Sequence, residues 1–154
     1  MTGLPPRILV VEDDDAIRTL LVAALRREPF DVDAANDGEA ALHLTSQHEY
    51  AVIILDLMMP RLNGFEFLAA IHSSTPAPRS VIFVVTAFDD AQIGKLQSHQ
   101  VHAVIRKPFD VPQLITMVRE VALMWQTHTQ STAAHAVLTQ PSAANDPAAE
   151  EPTN

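Results

Sequence analysis

Three short stretches of this chain are apolar at every position, and each runs straight into a polar residue. Residues 8–11 (Ile-Leu-Val-Val) lead into Glu12, Asp13, Asp14 and Asp15; residues 51–55 (Ala-Val-Ile-Ile-Leu) lead into Asp56; residues 81–85 (Val-Ile-Phe-Val-Val) lead into Thr86. A strand that is apolar on consecutive residues has to be covered on both faces, the condition of a parallel sheet between helices. Two weaker stretches fit the same plan. Residues 101–105 are broken by His102 and end in Arg106, Lys107 and Pro108. Residues 31–35 alternate Asp, Val, Asp, Ala before an Asn36-Asp37-Gly38 turn, the pattern of an edge strand.

Between these stretches the spacing becomes helical. Ile17, Leu20, Leu21, Ala24 and Leu25 form one apolar stripe, with Arg18, Arg26 and Arg27 off it. Residues 39–48 carry Ala40, Ala41 and Leu44; residues 64–72 carry Phe65, Leu68, Ala69 and Ile71; residues 111–125 carry Leu114, Val118, Val121, Ala122 and Trp125. In residues 89–99 only Ile93 and Leu96 are large and apolar, with Gly94 between them. That helix is predicted to be marginal, because an interior glycine costs about 1 kcal/mol relative to alanine. Five βα units in succession imply right-handed crossovers and a doubly wound α/β fold: a five-stranded parallel sheet with helices on both faces.

The whole chain of 154 residues suits one domain, expected over residues 7–125. Residues 126–154 contain no Lys or Arg, three prolines and many Ala, Thr and Ser. They are predicted to form a disordered tail, with room for a short helix around 133–138. The absence of cysteine excludes disulfides, thiol catalysis and Cys-ligated metals. A net charge of −9 argues against a nucleic-acid footprint. No apolar run approaches the ~20 residues of a membrane span. The start, Met1-Thr-Gly-Leu-Pro-Pro-Arg7, has no secretory pattern, so a soluble cytoplasmic protein is expected. The seven histidines have no metal-ligand spacing and read as surface residues, and Met58 and Met59 read as packing residues.

Ligands of open parallel sheets bind beyond the carboxyl ends of the strands, where strand order reverses. The residues expected there are Glu12, Asp13, Asp56, Thr86 and Lys107. Clustered carboxylates repel, and a hard divalent cation such as Mg²⁺ neutralises them. A cation beside a lysine suits a phosphoryl group, and one carboxylate can carry that group as an aspartyl phosphate. Taken singly, each residue has a plainer reading. Asp13, Asp14 and Asp15 cap a helix, Asp56 forms a turn, Thr86 caps the next helix, and Lys107 is a solvated lysine. Their joint position at four strand ends is what favours the site.

Four segments, Ile8-Leu-Val-Val-Glu-Asp-Asp14, Ile54-Leu-Asp-Leu-Met-Met-Pro-Arg-Leu-Asn-Gly64, Val84-Val-Thr-Ala87 and Arg106-Lys-Pro-Phe109, together resemble the receiver domain of bacterial two-component response regulators, here of the stand-alone type. The resemblance implies a flavodoxin-like fold with strand order 2-1-3-4-5. It implies Asp56 as phosphoacceptor, Asp13, Asp56 and the Met58 carbonyl as Mg²⁺ ligands, and Glu12 acting on the metal through water. Lys107 would pair with the phosphoryl oxygen, and its bond to Pro108 would be cis. Thr86 would swing toward the phosphoryl group and draw the following loop with it. The phosphoryl source would be the phosphohistidine of a histidine kinase or phosphotransfer protein. The downstream partner would be a protein, docked on the face of the fourth helix, fifth strand and fifth helix. Such a domain catalyses only its own phosphorylation and dephosphorylation.

Two positions depart from the family pattern. Val104 stands where the family carries its switch aromatic, and residues 100–102 replace a common glycine. Met58 and Phe88 are bulky and apolar at positions that, in the family the chain resembles, influence the attacking water, and the resemblance therefore implies a long-lived phosphorylated state. A Mg²⁺-dependent phosphatase would need a second acid where Met58 stands. A flavin or dinucleotide site would place phosphate against the acids Glu12 to Asp15. The remaining alternative is a receiver-like binding module that is not phosphorylated.

Overall fold

The three wholly apolar stretches form the centre of a five-stranded parallel sheet. The computed structural model describes residues 3–75, 79–96 and 101–138. The elements are β1 (Arg7–Val11), α1 (Asp15–Leu25), β2 (Asp31–Ala35), α2 (Gly38–Gln47), β3 (Val52–Leu55), α3 (Gly64–His72), β4 (Val81–Thr86), α4 (Asp90–Ile93), β5 (Ala103–Arg106) and α5 (Val111–Leu138). The strand order is β2-β1-β3-β4-β5, all pairs parallel, which is the expected flavodoxin-like arrangement.

Side chains alternate across each central strand, so each strand serves two cores. Leu9, Val11, Ile53, Leu55, Ile82 and Val84 pack with Ala41 of α2 and with Phe67, Leu68 and Ile71 of α3. Ile8, Val10, Val52, Ile54, Phe83 and Val85 pack with Leu21 and Leu25 of α1 and with Leu114, Val118 and Ala122 of α5. Burying one such side chain fully stabilises the fold by about 1.5–3 kcal/mol. Short polar side chains start the helices. Asp14, Asp37, Asn63 and Asp89 each accept a backbone N–H from the first turn of α1, α2, α3 and α4. At Asn63, Glu66 bonds back to complete a capping box.

Three elements differ from the sequence reading. The α1 stripe is narrower than its spacing implies, and Leu20 is 53% exposed. β5 begins at Ala103 rather than Val101; just before it, His102 bonds Ile82 twice, its N–H donating to Ile82 O at 2.9 Å and its ring Nδ1 accepting the Ile82 N–H at 3.1 Å. α5 does not stop at Trp125 but continues to Leu138, so 126–138 is helix where a disordered tail was expected. This stretch lacks Gly and Pro, and the hydroxyls of Thr127, Thr129 and Thr132 bond back to carbonyls four residues earlier. The Gln126 amide also donates to the Leu4 carbonyl at 2.9 Å. The rest of the expected tail, 139–154, lies outside the described residues. α4 is a single turn, Asp90–Ile93, capped by Gly94, where a marginal helix over 89–99 was expected; 97–99 lie outside the described residues. No helix among the described residues is long and apolar enough to cross a membrane.

Candidate functional site

The chain leaves β1 toward β2 on one side, then returns to place β3 on the other. The carboxyl ends of β1 and β3 therefore flank the switch point. Residues just past the strands are held by continuing the ladder. The Glu12 N–H donates to Ala35 O at 3.1 Å, Asp56 N–H to Val11 O at 2.9 Å, and Lys107 N–H to Thr86 O at 2.9 Å. Backbone bonds thus fix the residues bearing the candidate groups before any ligand arrives.

Glu12, Asp13 and Asp56 each place a carboxylate oxygen within 4.8 Å of the others. Glu12 and Asp56 are buried and Asp13 is exposed, so the cluster opens to solvent on one side. Lys107 Nζ bridges the two buried acids, 2.9 Å from Glu12 Oε2 and 3.2 Å from Asp56 Oδ2. The free oxygens are also engaged: Glu12 Oε1 accepts the Asp14 N–H at 3.2 Å, and Asp56 Oδ1 accepts the Met58 N–H at 3.0 Å. The Lys107–Pro108 peptide is cis. Thr86 ends β4 fully buried, and its hydroxyl accepts the Phe88 N–H at 3.2 Å.

The plainer readings now separate. Asp14 is the N-cap of α1, and Asp15 pairs with Arg18 in its first turn, which leaves Glu12 and Asp13 for the cluster. Lys107 is no solvated lysine, since its side chain is only 18% exposed. Asp56 does form a turn through Oδ1, with Oδ2 on the lysine. Met58 shares the β3–α3 loop with them, half-exposed. Sequence reasoning missed Arg18, whose Nη1 donates to the Glu12 carbonyl at 3.0 Å and ties α1 to the site loop. It also missed Arg61, which forks onto Asp37. Arg18 could have been found as the basic residue one turn into the helix that follows the acids.

Burial pushes the Glu12 carboxyl up to about 7; the Lys107 hydrogen bond pulls against this, and the Asp56 charge adds to it. Burial alone would lower Lys107, but its bond to Glu12 and the charge of Asp56 prevail and raise it above its ordinary value. Two buried acids sharing one ammonium form a set with surplus negative charge and hard oxygen donors, which fits a small divalent cation. Beside Asp13 opens a cleft of about 380 Å³, walled by Met58, Phe65 and Phe88. The Phe65 and Phe88 rings lie 6.0 Å apart and tilted.

The same framework occurs in known proteins. The sequence model of the response regulator receiver domain matches residues 8–119. The response regulator ArlR of Staphylococcus aureus is 33% identical over 117 residues, 75% of this chain and 52% of ArlR. The chain thus spans about half the length of that curated relative. The receiver domain of Francisella response regulator 1452 superposes with a TM-score of 0.69 at 28% identity, covering 77% of this chain and 98% of that one. The response regulator TrrA of Thermotoga maritima, solved in complex with Mg²⁺ and BeF, gives a TM-score of 0.65 at 31% identity, over 75% of this chain and 98% of that one. The chain belongs to the family of response regulator receiver domains, the phosphorelay switches of two-component signalling.

Proposed function

We propose that residues 7–125 are a phosphoacceptor unit in which Asp56 takes a phosphoryl group from a phosphohistidine, with Mg²⁺ bound at the acid cluster. The supporting observation is the placement of Glu12, Asp13 and Asp56 within 4.8 Å of one another beside Lys107. Asp13, Asp56 and the Met58 carbonyl would hold the ion, and Glu12 would act on it through water. The ion supplies positive charge against the phosphoryl oxygens. Asp56 Oδ attacks phosphorus, the P–N bond of the donor breaks, and its electron pair stays on the departing imidazole. Lys107, already within hydrogen-bond reach of Asp56, turns an N–H toward the transferred group. The Thr86 hydroxyl, which accepts the Phe88 N–H, rotates to donate to the phosphoryl oxygen and carries the β4–α4 loop with it.

The output is read by a protein partner on the α4–β5–α5 face. Val104, on that face, is 38% exposed and small, so the signal travels through the loop and α4 rather than through an aromatic rotamer. The net charge of −9 suits protein partners over nucleic acid, and the reading places the chain in the cytoplasm. Met58 and Phe88 screen Asp56 from water and prolong the phosphorylated state. The test is incubation with a small acyl phosphate, with Mg²⁺ and with a chelator, followed by a phosphoprotein mobility shift. A shift that needs Mg²⁺ supports the reading. No shift under either condition identifies a binding module that is not phosphorylated, and turnover of phosphomonoesters identifies a phosphatase.

A further inference from the structure

The loop from Asp56 to Gly64 is fastened at both ends. At its start the Met58 N–H is bound by Asp56 Oδ1. At its end the Gly64 N–H donates to Leu57 O at 3.1 Å, and a Cβ on Gly64 would sit 2.7 Å from Asp56 O. A third anchor lies outside the loop, on the β2–α2 corner. Leu62 O accepts the Gly38 N–H at 3.1 Å, so close that a Cβ on Gly38 would sit 2.4 Å from that oxygen. Beside it Arg61 Nε donates to Asp37 Oδ2 at 2.8 Å, and Arg61 Nη2 bonds the same oxygen.

Arg61 has φ of 63°, a left-handed conformation that non-glycine residues disfavour. Such a residue persists where its surroundings fix it. Asp37 supplies that fixation: it is buried, and its other oxygen, Oδ1, caps α2 through the Ala40 N–H at 2.8 Å. Met58 is held through its N–H and Met59 is buried in the core, so the arc that carries the Met58 carbonyl is bounded by Asp56 on one side and by the Asp37–Arg61 pair on the other.

We propose that Asp37 and Arg61 are positioning residues for the metal site, their ion pair setting the arc that presents the Met58 carbonyl to Mg²⁺. The inference rests on the Mg²⁺ reading above. Neither residue touches the ion; they act by preventing the arc from wandering, as outer partners of metal ligands do.

Two substitutions test this role, and a third, destabilising one away from the loop separates it from stability. Asp37→Asn keeps an oxygen to cap α2 but removes the charge that Arg61 grips. Arg61→Gly removes the fork and adopts the left-handed conformation freely. Titration calorimetry of the full chain with MgCl₂ is expected to give about tenfold weaker binding in both variants. Arg61→Gly leaves the buried Asp37 carboxylate unpaired, so its thermal midpoint is expected to fall, and Mg²⁺ affinity rather than the midpoint is the deciding readout. Asp33→Asn serves as the comparison, since it removes the charge that pairs with Arg7 and weakens the acceptor of the Tyr50 hydroxyl, away from the loop. It is expected to lower the midpoint and leave Mg²⁺ affinity alone. Unchanged affinity in both loop variants, or an equal loss in Asp33→Asn, overturns the proposal while the metal reading stands. Failure of the unaltered protein to bind Mg²⁺ overturns both.

Discussion

Replacing Lys107 with methionine keeps most of the apolar stem and removes the ammonium between Glu12 and Asp56. Their side chains are 3% and 4% exposed, so water reaches them poorly. Their oxygens lie within 4.8 Å, and at an effective dielectric of about 20 two unit charges at that distance repel by ~3.5 kcal/mol. Breaking a buried ion pair by removing one partner costs about 3–5 kcal/mol in general, which agrees. Lys107→Met is therefore expected to lower the urea midpoint by more than ~1 M near neutral pH. The sign of the pH dependence follows from Glu12. Its folded-state value lies above its ordinary 4.5, at about 7, so the folded state binds the proton more tightly than the unfolded chain. Stability tied to this group is complete below about pH 4.5 and is lost as pH rises through about 7. Removing Lys107 deletes a contact that pulls Glu12 down, so the variant should lose more stability over that window. It should recover much of its deficit at about pH 5.5, and more than the unaltered protein gains on adding Mg²⁺. Urea unfolding at two pH values, with and without Mg²⁺, decides it. A variant as stable as the parent near neutral pH, or a deficit that ignores acidification, refutes the electrostatic reasoning.

Gly64→Ala would place a Cβ 2.6 Å from Leu57 Cα, so backbone has to shift; it is expected to cost about 1–3 kcal/mol in denaturant unfolding and to slow phosphoryl acceptance at Asp56. Tyr50 is the sole tyrosine, buried and donating to Asp33 at 2.7 Å, and burial followed by that bond raises its phenol well above 10. The folded chain therefore holds this proton more tightly, and stability is lost as pH rises past about 10; ultraviolet titration should show phenolate only with unfolding, and a reversible folded-state titration near 10 would contradict this. Phe88→Glu combined with Met58→Asn should shorten the life of the phosphorylated protein in Mg²⁺, measured as decay after the donor is removed; an unchanged lifetime refutes the screening role.

The acid cluster was legible because strand ends are legible. An apolar run that stops at a carboxylate fixes where that carboxylate sits once the sheet is parallel; Glu12 and Asp56 each follow such a run, and Lys107 follows the weaker, His102-broken stretch by way of Arg106. Other features depended on contacts that no local pattern announces. Arg61 and Asp37 meet across 24 residues of sequence, and nothing in Pro60-Arg61-Leu62 signals a left-handed arginine. Leu20 keeps helical spacing yet faces solvent, because the stripe was drawn wider than α1 can bury. The extent of α5 was hidden for a different reason. Beyond Trp125 the helix has no apolar stripe to read, although the stretch lacks Gly and Pro and Gln126 donates to the Leu4 carbonyl. His102 interrupted an apolar run and weakened the fifth strand as a sequence signal, yet its ring completes the Ile82 bonding.

The central claim is chemical: one carboxylate of the cluster, on Asp56, becomes an acyl phosphate. Intact and peptide mass spectrometry after exposure to a phosphodonor with Mg²⁺, comparing the unaltered chain with Asp56→Asn, addresses it directly. The account predicts a single phosphoryl addition, located on the peptide that contains Asp56 and absent from Asp56→Asn. Equal labelling of both proteins, or no labelling of the unaltered chain, would contradict it.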